Sequence, residues 1–106
     1  MEKKFLKQMR RRIVKNFLDT IFLSELKKTQ PQSAYALMNK VHRKFGFLIS
    51  AGTVYALLYS MERKELVTGE QTENKRIYRL TEKGNETINV IINTKEELFQ
   101  YAKTVF

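Results

Sequence analysis

The sequence predicts a single domain of the mainly α-helical class, with one small β-hairpin and a long helix at its C-terminal end. Three observations support this prediction. Apolar residues recur at helical spacing in four segments, residues that favour β-strands form two short runs, and Ser, Thr, Gly or Pro stands between the segments. A chain of 106 residues with 42% hydrophobic content can bury one core. We therefore expect residues 1–81 and the last helix, residues 82–106, to form one compact unit.

The first helix is predicted to run from Phe5 to Leu26 as one long element. Its apolar residues recur at roughly helical spacing, and further apolar residues widen the stripe. The stripe consists of Leu6, Met9, Ile13, Phe17, Ile21 and Leu26, with Val14, Leu18 and Phe22 beside it. We expect this helix to be mostly buried on one side.

Two shorter helices follow the segment Gln30–Gln32, which contains the only proline. Ser33 can cap a second helix that ends at Gly46, and Ser50 can cap a third, because a serine hydroxyl accepts a hydrogen bond from a free backbone N–H of the first turn. The third helix has one apolar face, formed by Val54, Leu57, Leu58 and Met61. We expect that face to lie in the core.

A hairpin and a last helix complete the chain. Leu66–Thr68 and Ile77–Leu80 are short β-prone runs, and the polar stretch Gly69–Lys75 between them is typical of a hairpin tip. Thr81 can cap the final helix. Helix, helix, helix, hairpin and helix is the order of a winged helix-turn-helix domain with a long C-terminal helix.

The last helix carries an apolar stripe at heptad spacing. A lone surface helix at the end of a domain does not need so wide a stripe, which favours dimerisation through this helix. The alternative is that the helix folds back on the first helix of its own chain, and Lys95 within the stripe weakens the case for a dimer. The predicted dimerisation residues are Ile88, Ile91, Ile92, Leu98, Phe99, Ala102 and Val105.

The net charge of +9 is concentrated in one part of the chain. Residues 1–45 hold 12 Lys and Arg against three Asp and Glu, while the rest of the chain is nearly neutral. Such an asymmetry suits a polyanionic partner, since Lys and Arg release counterions from nucleic acid on binding. Arg10, Arg11 and Arg12 form an arm that either contacts phosphates or is simply solvated.

The third helix has the two faces that a major-groove helix needs. Opposite its apolar face lie small and aromatic polar residues instead of the usual mixture of Glu and Lys. The hairpin tip adds polar and basic side chains that can reach the DNA backbone or the minor groove. The predicted DNA-binding residues of these two elements are Ser50, Gly52, Thr53, Tyr55, Tyr59, Arg63, Asn74, Lys75 and Arg76. The alternatives are an ordinary helix cap at Ser50 and amphipathic packing of the two tyrosines.

Two segments resemble a known family. Gly52–Leu58 reads GTVYALL, and Arg76–Gly84 reads RIYRLTEKG about 25 residues later, with Met61-Glu62 and Leu66-Val67 between them. This combination resembles the PadR family of winged-helix transcriptional regulators, in its small form with a single C-terminal dimerisation helix. The resemblance implies that Ser50, Thr53 and Tyr55 belong to the recognition helix, Lys75 and Arg76 to a basic wing, and the last helix to a dimer interface.

The chain departs from the family pattern at three positions. Ala56 stands where a proline is common, Ala34 where a glycine usually precedes the tyrosine, and Glu65 where a glycine usually precedes the Leu-aliphatic pair. Some family members bind small apolar molecules at the dimer interface. This property is not carried over to the present sequence, so a small-molecule effector stays unknown.

The composition argues against catalysis. The chain has no cysteine, one histidine, His42, and one aspartate, Asp19, so we expect no enzyme activity, metal or cofactor. Polar residues interrupt the apolar stretch after the basic N-terminus, and no segment has the length of a membrane span, so the cytoplasm is expected. We expect a homodimeric regulator, by inference a repressor, on a palindromic operator. The alternative function is non-specific DNA packaging or protein interaction.

Overall fold

The computed structural model describes all 106 residues and contains five helices and three short strands. The elements in chain order are α1 (Glu2–Asn16), α2 (Leu18–Lys28), β1 (Gln32–Ser33), α3 (Ala34–Phe45), α4 (Ala51–Arg63), β2 (Val67–Gln71), β3 (Arg76–Leu80) and α5 (Glu82–Val105). Helices α2, α3 and α4 followed by the β2–β3 hairpin form the winged helix-turn-helix that the sequence predicts.

The core lies between α2, α3, α4, the inner face of the hairpin and the first half of α5. The predicted inner face of α4 is confirmed, since Val54, Leu58 and Met61 are buried and Leu57 packs against the core. The largest fully buried side chains are Phe22, Leu26, Leu37, Leu58, Met61 and Ile88. Each contributes about 1.5–3 kcal/mol through removal from water, so this cluster fixes how α4 sits in the domain.

Three helix starts are confirmed at the predicted capping residues. The Ser33 hydroxyl accepts a hydrogen bond from the Ala36 N–H at 3.1 Å, and the Thr81 hydroxyl accepts one from the Gly84 N–H at 2.9 Å. Ser50 caps α4 in the same way. Gly46 ends α3 with a left-handed φ of 80°, a conformation that glycine adopts without steric cost.

The prediction of one continuous helix from Phe5 to Leu26 is wrong. The chain bends at Phe17, where φ is −111° and ψ is 22°, so that α1 and α2 are separate helices. The expected burial holds for α2, whereas Leu6, Ile13 and Phe17 are more than half exposed and only Val14 of α1 is buried. Apolar spacing predicts which residues share one face of a helix, but it does not predict whether the same chain buries that face.

The sheet has a third strand that the sequence does not predict. Gln32 and Ser33 pair antiparallel with Tyr78 and Ile77 of β3, which gives the strand order β1-β3-β2. A two-residue strand is too short to show a period of two, so it carries no sequence signal.

The turn between α4 and β2 is bound by the start of α5. The Thr81 N–H donates to the Leu66 carbonyl at 3.1 Å, and the Thr81 hydroxyl donates to the Glu65 carbonyl. Lys83 Nζ donates to the Lys64 carbonyl at 3.0 Å. Glu65 has a φ of 61°, in the left-handed region that favours glycine, and it is the position where the family usually has glycine.

Helix α5 packs on α2 through its first half and then extends beyond the domain. Ile88 is 1% exposed and lies in the core of its own chain, so its assignment to a dimer interface is corrected: the side chain is already covered. Ile91 packs against the edge of the core, whereas Ile92, Leu98, Phe99 and Val105 are exposed. None of the five helices is both long and apolar enough to span a bilayer.

Candidate nucleic-acid interface

The outward face of α4 is exposed along its whole length. Gly52, Thr53 and Ala56 are exposed, and the larger side chains Tyr55 and Tyr59 are 55% and 63% exposed. Arg63 lies over the Tyr59 ring, 5.7 Å from its centroid, which holds a cation at the C-terminal end of this face. The face therefore presents hydroxyl groups, small residues and one guanidinium to solvent.

The N-terminal end of α4 combines a cap with open space. The Ser50 hydroxyl accepts from the Thr53 N–H at 3.2 Å and donates to the Thr53 hydroxyl oxygen at 2.8 Å. Cap and contact are compatible, because both residues are exposed. A Cβ added at Gly52 would meet nothing within 4 Å, so a flat partner surface can approach the backbone here.

Lys15 of α1 lies beside this helix end and was not predicted as a site residue. It lines a recess of about 260 Å³ together with Leu18, Leu48, Ile49, Ser50 and Thr53. The positive end of the α4 dipole and an ammonium group thus share one recess, a combination that favours anions. In the sequence Lys15 is one of many basic residues in the first helix, and only the fold singles it out.

The tip of the hairpin turns back on itself. The Thr72 N–H and hydroxyl both donate to the Lys75 carbonyl, at 2.8 and 2.6 Å. This closure leaves Glu73, Asn74 and Lys75 exposed. The predicted wing residues Asn74 and Lys75 are therefore available for contact with a partner.

The wing tip and α4 face the same recess. A space of about 340 Å³ is lined by Ser33, Ala34, Tyr35, Tyr55, Asn74, Lys75 and Arg76. Tyr55 of α4, Lys75 of the wing and Tyr35 at the start of α3 thus meet around one opening. Tyr35 is 70% exposed and was not predicted, because only tertiary packing brings it to this opening.

Arg76 does not face outward with Lys75. Its guanidinium forms two hydrogen bonds to the Glu62 carboxylate, from Nη2 at 2.8 Å and from Nε at 3.3 Å. These bonds raise the pKa of Arg76 above its ordinary value. Of the two predicted wing cations, only Lys75 is without a carboxylate partner.

The basic arm of α1 is exposed, and part of it lies near the turn before α4. Arg11 stacks over the Phe47 ring at 5.0 Å from the centroid, and Arg12 contacts the sulfur of Met9 at 3.6 Å. Arg10 is exposed. The stacking places the Arg11 charge close to the α3–α4 turn.

Tyr78 of β3 is buried, and its phenol gives a pH-dependent prediction. It is 3% exposed, and burial raises its pKa above the ordinary value of 10.0. The unfolded chain therefore loses the phenol proton at a lower pH than the folded chain does. The stabilisation is complete below about pH 10 and is lost as the pH rises through the folded-state pKa.

We expect Tyr78→Phe to remove this part of the alkaline destabilisation, which amounts to at most about 1.4 kcal/mol per pH unit. Denaturant unfolding of the wild type and the variant between pH 9 and 11 measures the difference. Tyr101→Phe is the control, because Tyr101 is 69% exposed on α5. Parallel pH curves for wild type and Tyr78→Phe would contradict the assignment.

Comparisons with known proteins agree with this geometry. The family model described as transcriptional regulator PadR-like family matches residues 22–90. No curated protein sequence matches the chain. Among solved structures, a PadR family transcriptional regulator from Eggerthella lenta has a TM-score of 0.78 at 21% identity, with 98% of this chain and 94% of that chain covered.

Two further structures bear on the site. A PadR family transcription regulator from Clostridium difficile has a TM-score of 0.65 at 25% identity, with 84% of this chain and 93% of that chain covered. PadR from Bacillus subtilis, solved in complex with operator DNA, has a TM-score of 0.64 at 20% identity, covering 71% of this chain and 46% of that one. The family match spans more than half of the sequence, and the predicted resemblance is confirmed: the chain belongs to the PadR-like family of transcriptional regulators.

Proposed function

We propose that this regulator binds double-stranded DNA at a palindromic operator as a homodimer and represses transcription there. The observation that carries the proposal is the common opening shared by α4 and the wing tip, with Tyr55 on one side and Lys75 on the other. In this arrangement α4 enters the major groove while the wing follows the adjacent backbone. PadR from Bacillus subtilis, a protein of similar fold, has been solved in complex with operator DNA, which supports DNA as the partner.

The proposed dimer rests on uncovered apolar side chains. Leu98, Phe99 and Val105 of α5 are each more than half exposed, and so are Phe5, Leu6 and Ile13 of α1 and Phe17 at the bend between α1 and α2. Apolar surface of this extent is costly in water and is usually covered by a partner. We assign the exposed half of α5, with Ile91, Ile92 and Ala102 completing it, to the interface between two copies.

Charge supports pairing with DNA. The arm residues Arg10, Arg11 and Arg12 are exposed together with Lys15, so α1 can add contacts to phosphates. Repression is the simplest outcome, because a dimer bound at a promoter excludes RNA polymerase from it.

A second candidate function is non-specific DNA packaging, which the exposed basic arm of α1 favours. Selection of bound fragments from random duplex DNA, followed by competition against scrambled duplexes at fixed salt, separates the two. A regulator enriches a palindrome and prefers it by roughly 10³ or more. Tight binding without enrichment would instead support packaging.

Within the selected operator, Thr53→Ala and Tyr55→Ala are each expected to reduce the preference for operator over scrambled DNA about tenfold. Both side chains are exposed, so the free energy of unfolding should change little. Thr104→Ala, an exposed threonine near the end of α5, is the control. Unchanged discrimination in both α4 variants would remove these residues from base recognition.

A further inference from the structure

The ion pair between Arg76 and Glu62 joins the wing to α4. Arg76 is the first residue of β3, and Glu62 is in the last turn of α4. The two hydrogen bonds of 2.8 and 3.3 Å come from different nitrogens and reach different carboxylate oxygens, so they fix the direction of the guanidinium as well as its distance. The side chains are 39% and 25% exposed, which shields the pair partly from water.

Gly69 lies beneath the same guanidinium. It is opposite Tyr78 in the β2–β3 register, and a Cβ at this position would come within 2.5 to 2.7 Å of the Arg76 atoms Nε, Nη2 and Cζ. The Arg76 side chain therefore crosses the inner face of both wing strands on its way to α4. A residue without a side chain is needed at position 69 for this path.

The ion pair lies at the point along the wing beyond which no other hydrogen bond holds the wing to the rest of the domain. Val67 at the base of β2 is buried, its partner Leu80 packs against the core, and β1 pairs with β3 as far as Ile77. At the tip, the hydrogen bonds of Thr72 and Lys75 stay within the hairpin. Between base and tip, the Glu62–Arg76 bonds are the side-chain hydrogen bonds that tie the wing to α4.

We propose that Glu62, Gly69 and Arg76 form a latch that holds the wing tip at a fixed position relative to α4. The proposal rests on the proposed function. Arg76 is then a positioning residue, and Lys75 is the wing cation that meets the DNA backbone. The latch brings Lys75 and Tyr55 to the DNA together instead of leaving the tip to be ordered on binding.

The direction in which one substitution changes the affinity for DNA separates this positioning role from direct contact of Arg76 with a phosphate. If Arg76 binds a phosphate, Glu62→Gln frees the guanidinium and removes a negative charge, so DNA binding becomes stronger. If the latch positions the wing, Glu62→Gln weakens operator binding despite the more favourable net charge. Glu73→Gln at the exposed wing tip makes the same charge change without touching the latch, and we expect it to bind DNA at least as well as the wild type.

Gly69→Ala provides a second test that keeps every charge. The added Cβ displaces the end of the Arg76 side chain, and because that end is flexible the fold is retained. We expect Gly69→Ala and Glu62→Gln each to weaken operator binding about tenfold. In either background, Lys75→Ala should add less than about a threefold loss, against about tenfold in the wild type, since residues in one network are not additive. Full additivity or stronger binding by Glu62→Gln overturns the proposal.

Hydrogen exchange without DNA tests the latch separately from the function. Amides of residues 69–76 should exchange faster in Glu62→Gln and Gly69→Ala, while those of α2 and α4 remain at the wild-type rate. Unchanged exchange in the wing overturns the latch even if the protein selects an operator. Faster wing exchange in a protein that selects no DNA supports the latch and removes the proposed function.

Discussion

Replacing Gly84 by alanine is expected to lower the free energy of unfolding by about 3 kcal/mol, although alanine favours a helix over glycine by about 1 kcal/mol. Gly84 is buried in the first turn of α5, and a Cβ there would overlap the carbonyl oxygen of Leu66. That oxygen also accepts the Thr81 N–H, so neither backbone can move without loss. Denaturant unfolding monitored by circular dichroism measures the change.

Gly52→Ala is the matched control for Gly84→Ala. Both glycines are in the first turn of a helix, but the space around a Cβ at Gly52 is empty. Here we expect a gain of a few tenths of a kcal/mol and up to about 1 kcal/mol. A Gly84→Ala protein as stable as Gly52→Ala would show that α5 does not cross Leu66 as closely as the structure has it.

Replacing Phe99 by glutamate is expected to convert the protein from dimer to monomer at micromolar concentration. Phe99 is 58% exposed on α5, so within one chain the change costs little, whereas in the proposed interface it buries an unpaired charge. Operator affinity should fall about a hundredfold, because the two half-sites are then no longer bound by linked subunits. Sedimentation equilibrium and a DNA titration measure the two effects.

Gln100→Glu introduces the same carboxylate one residue further along α5. A step of one residue rotates the side chain by about 100° around the helix, away from the apolar stripe. We expect this variant to remain a dimer and to bind the operator like the wild type. A Phe99→Glu protein that remains a dimer would place the interface elsewhere, and a monomeric Gln100→Glu protein would show that the apolar stripe alone does not define it.

The starts of α3, α4 and α5 could be predicted from the sequence because each depends on a local hydrogen bond of one side chain. Ser33, Ser50 and Thr81 cap their helices as expected. The bend at Phe17 and the pairing of Gln32 depend on distant segments, and no residue type marks them. In α1 and α5 the periodicity indicated apolar faces correctly, but it did not separate Ile88, which faces its own core, from Phe99, which does not.

The alternation of side chains along β3 predicts the inward orientation of Arg76, contrary to its assignment to the outward face of the wing. Side chains alternate along a strand, so Arg76 shares a face with Tyr78 and Leu80, and that face is turned toward the core. Its neighbour Lys75 precedes the strand, so the alternation of side chains along β3 does not fix its direction. Lys15 and Tyr35 could not be found in this way, because only tertiary packing brings them to the ends of α4 and the wing.

The bonds from Thr81 and Lys83 join the turn that directly follows α4 to the start of α5, the helix that carries the proposed interface. In the proposed dimer, this connection, present once in each subunit, leaves little freedom to change the separation of the two α4 helices. One inserted base pair moves a half-site by about 3.4 Å and rotates it around the duplex axis, a displacement that the protein cannot follow by flexing at this joint. The protein should therefore discriminate between operators by the number of base pairs between their half-sites as well as by the bases that α4 contacts.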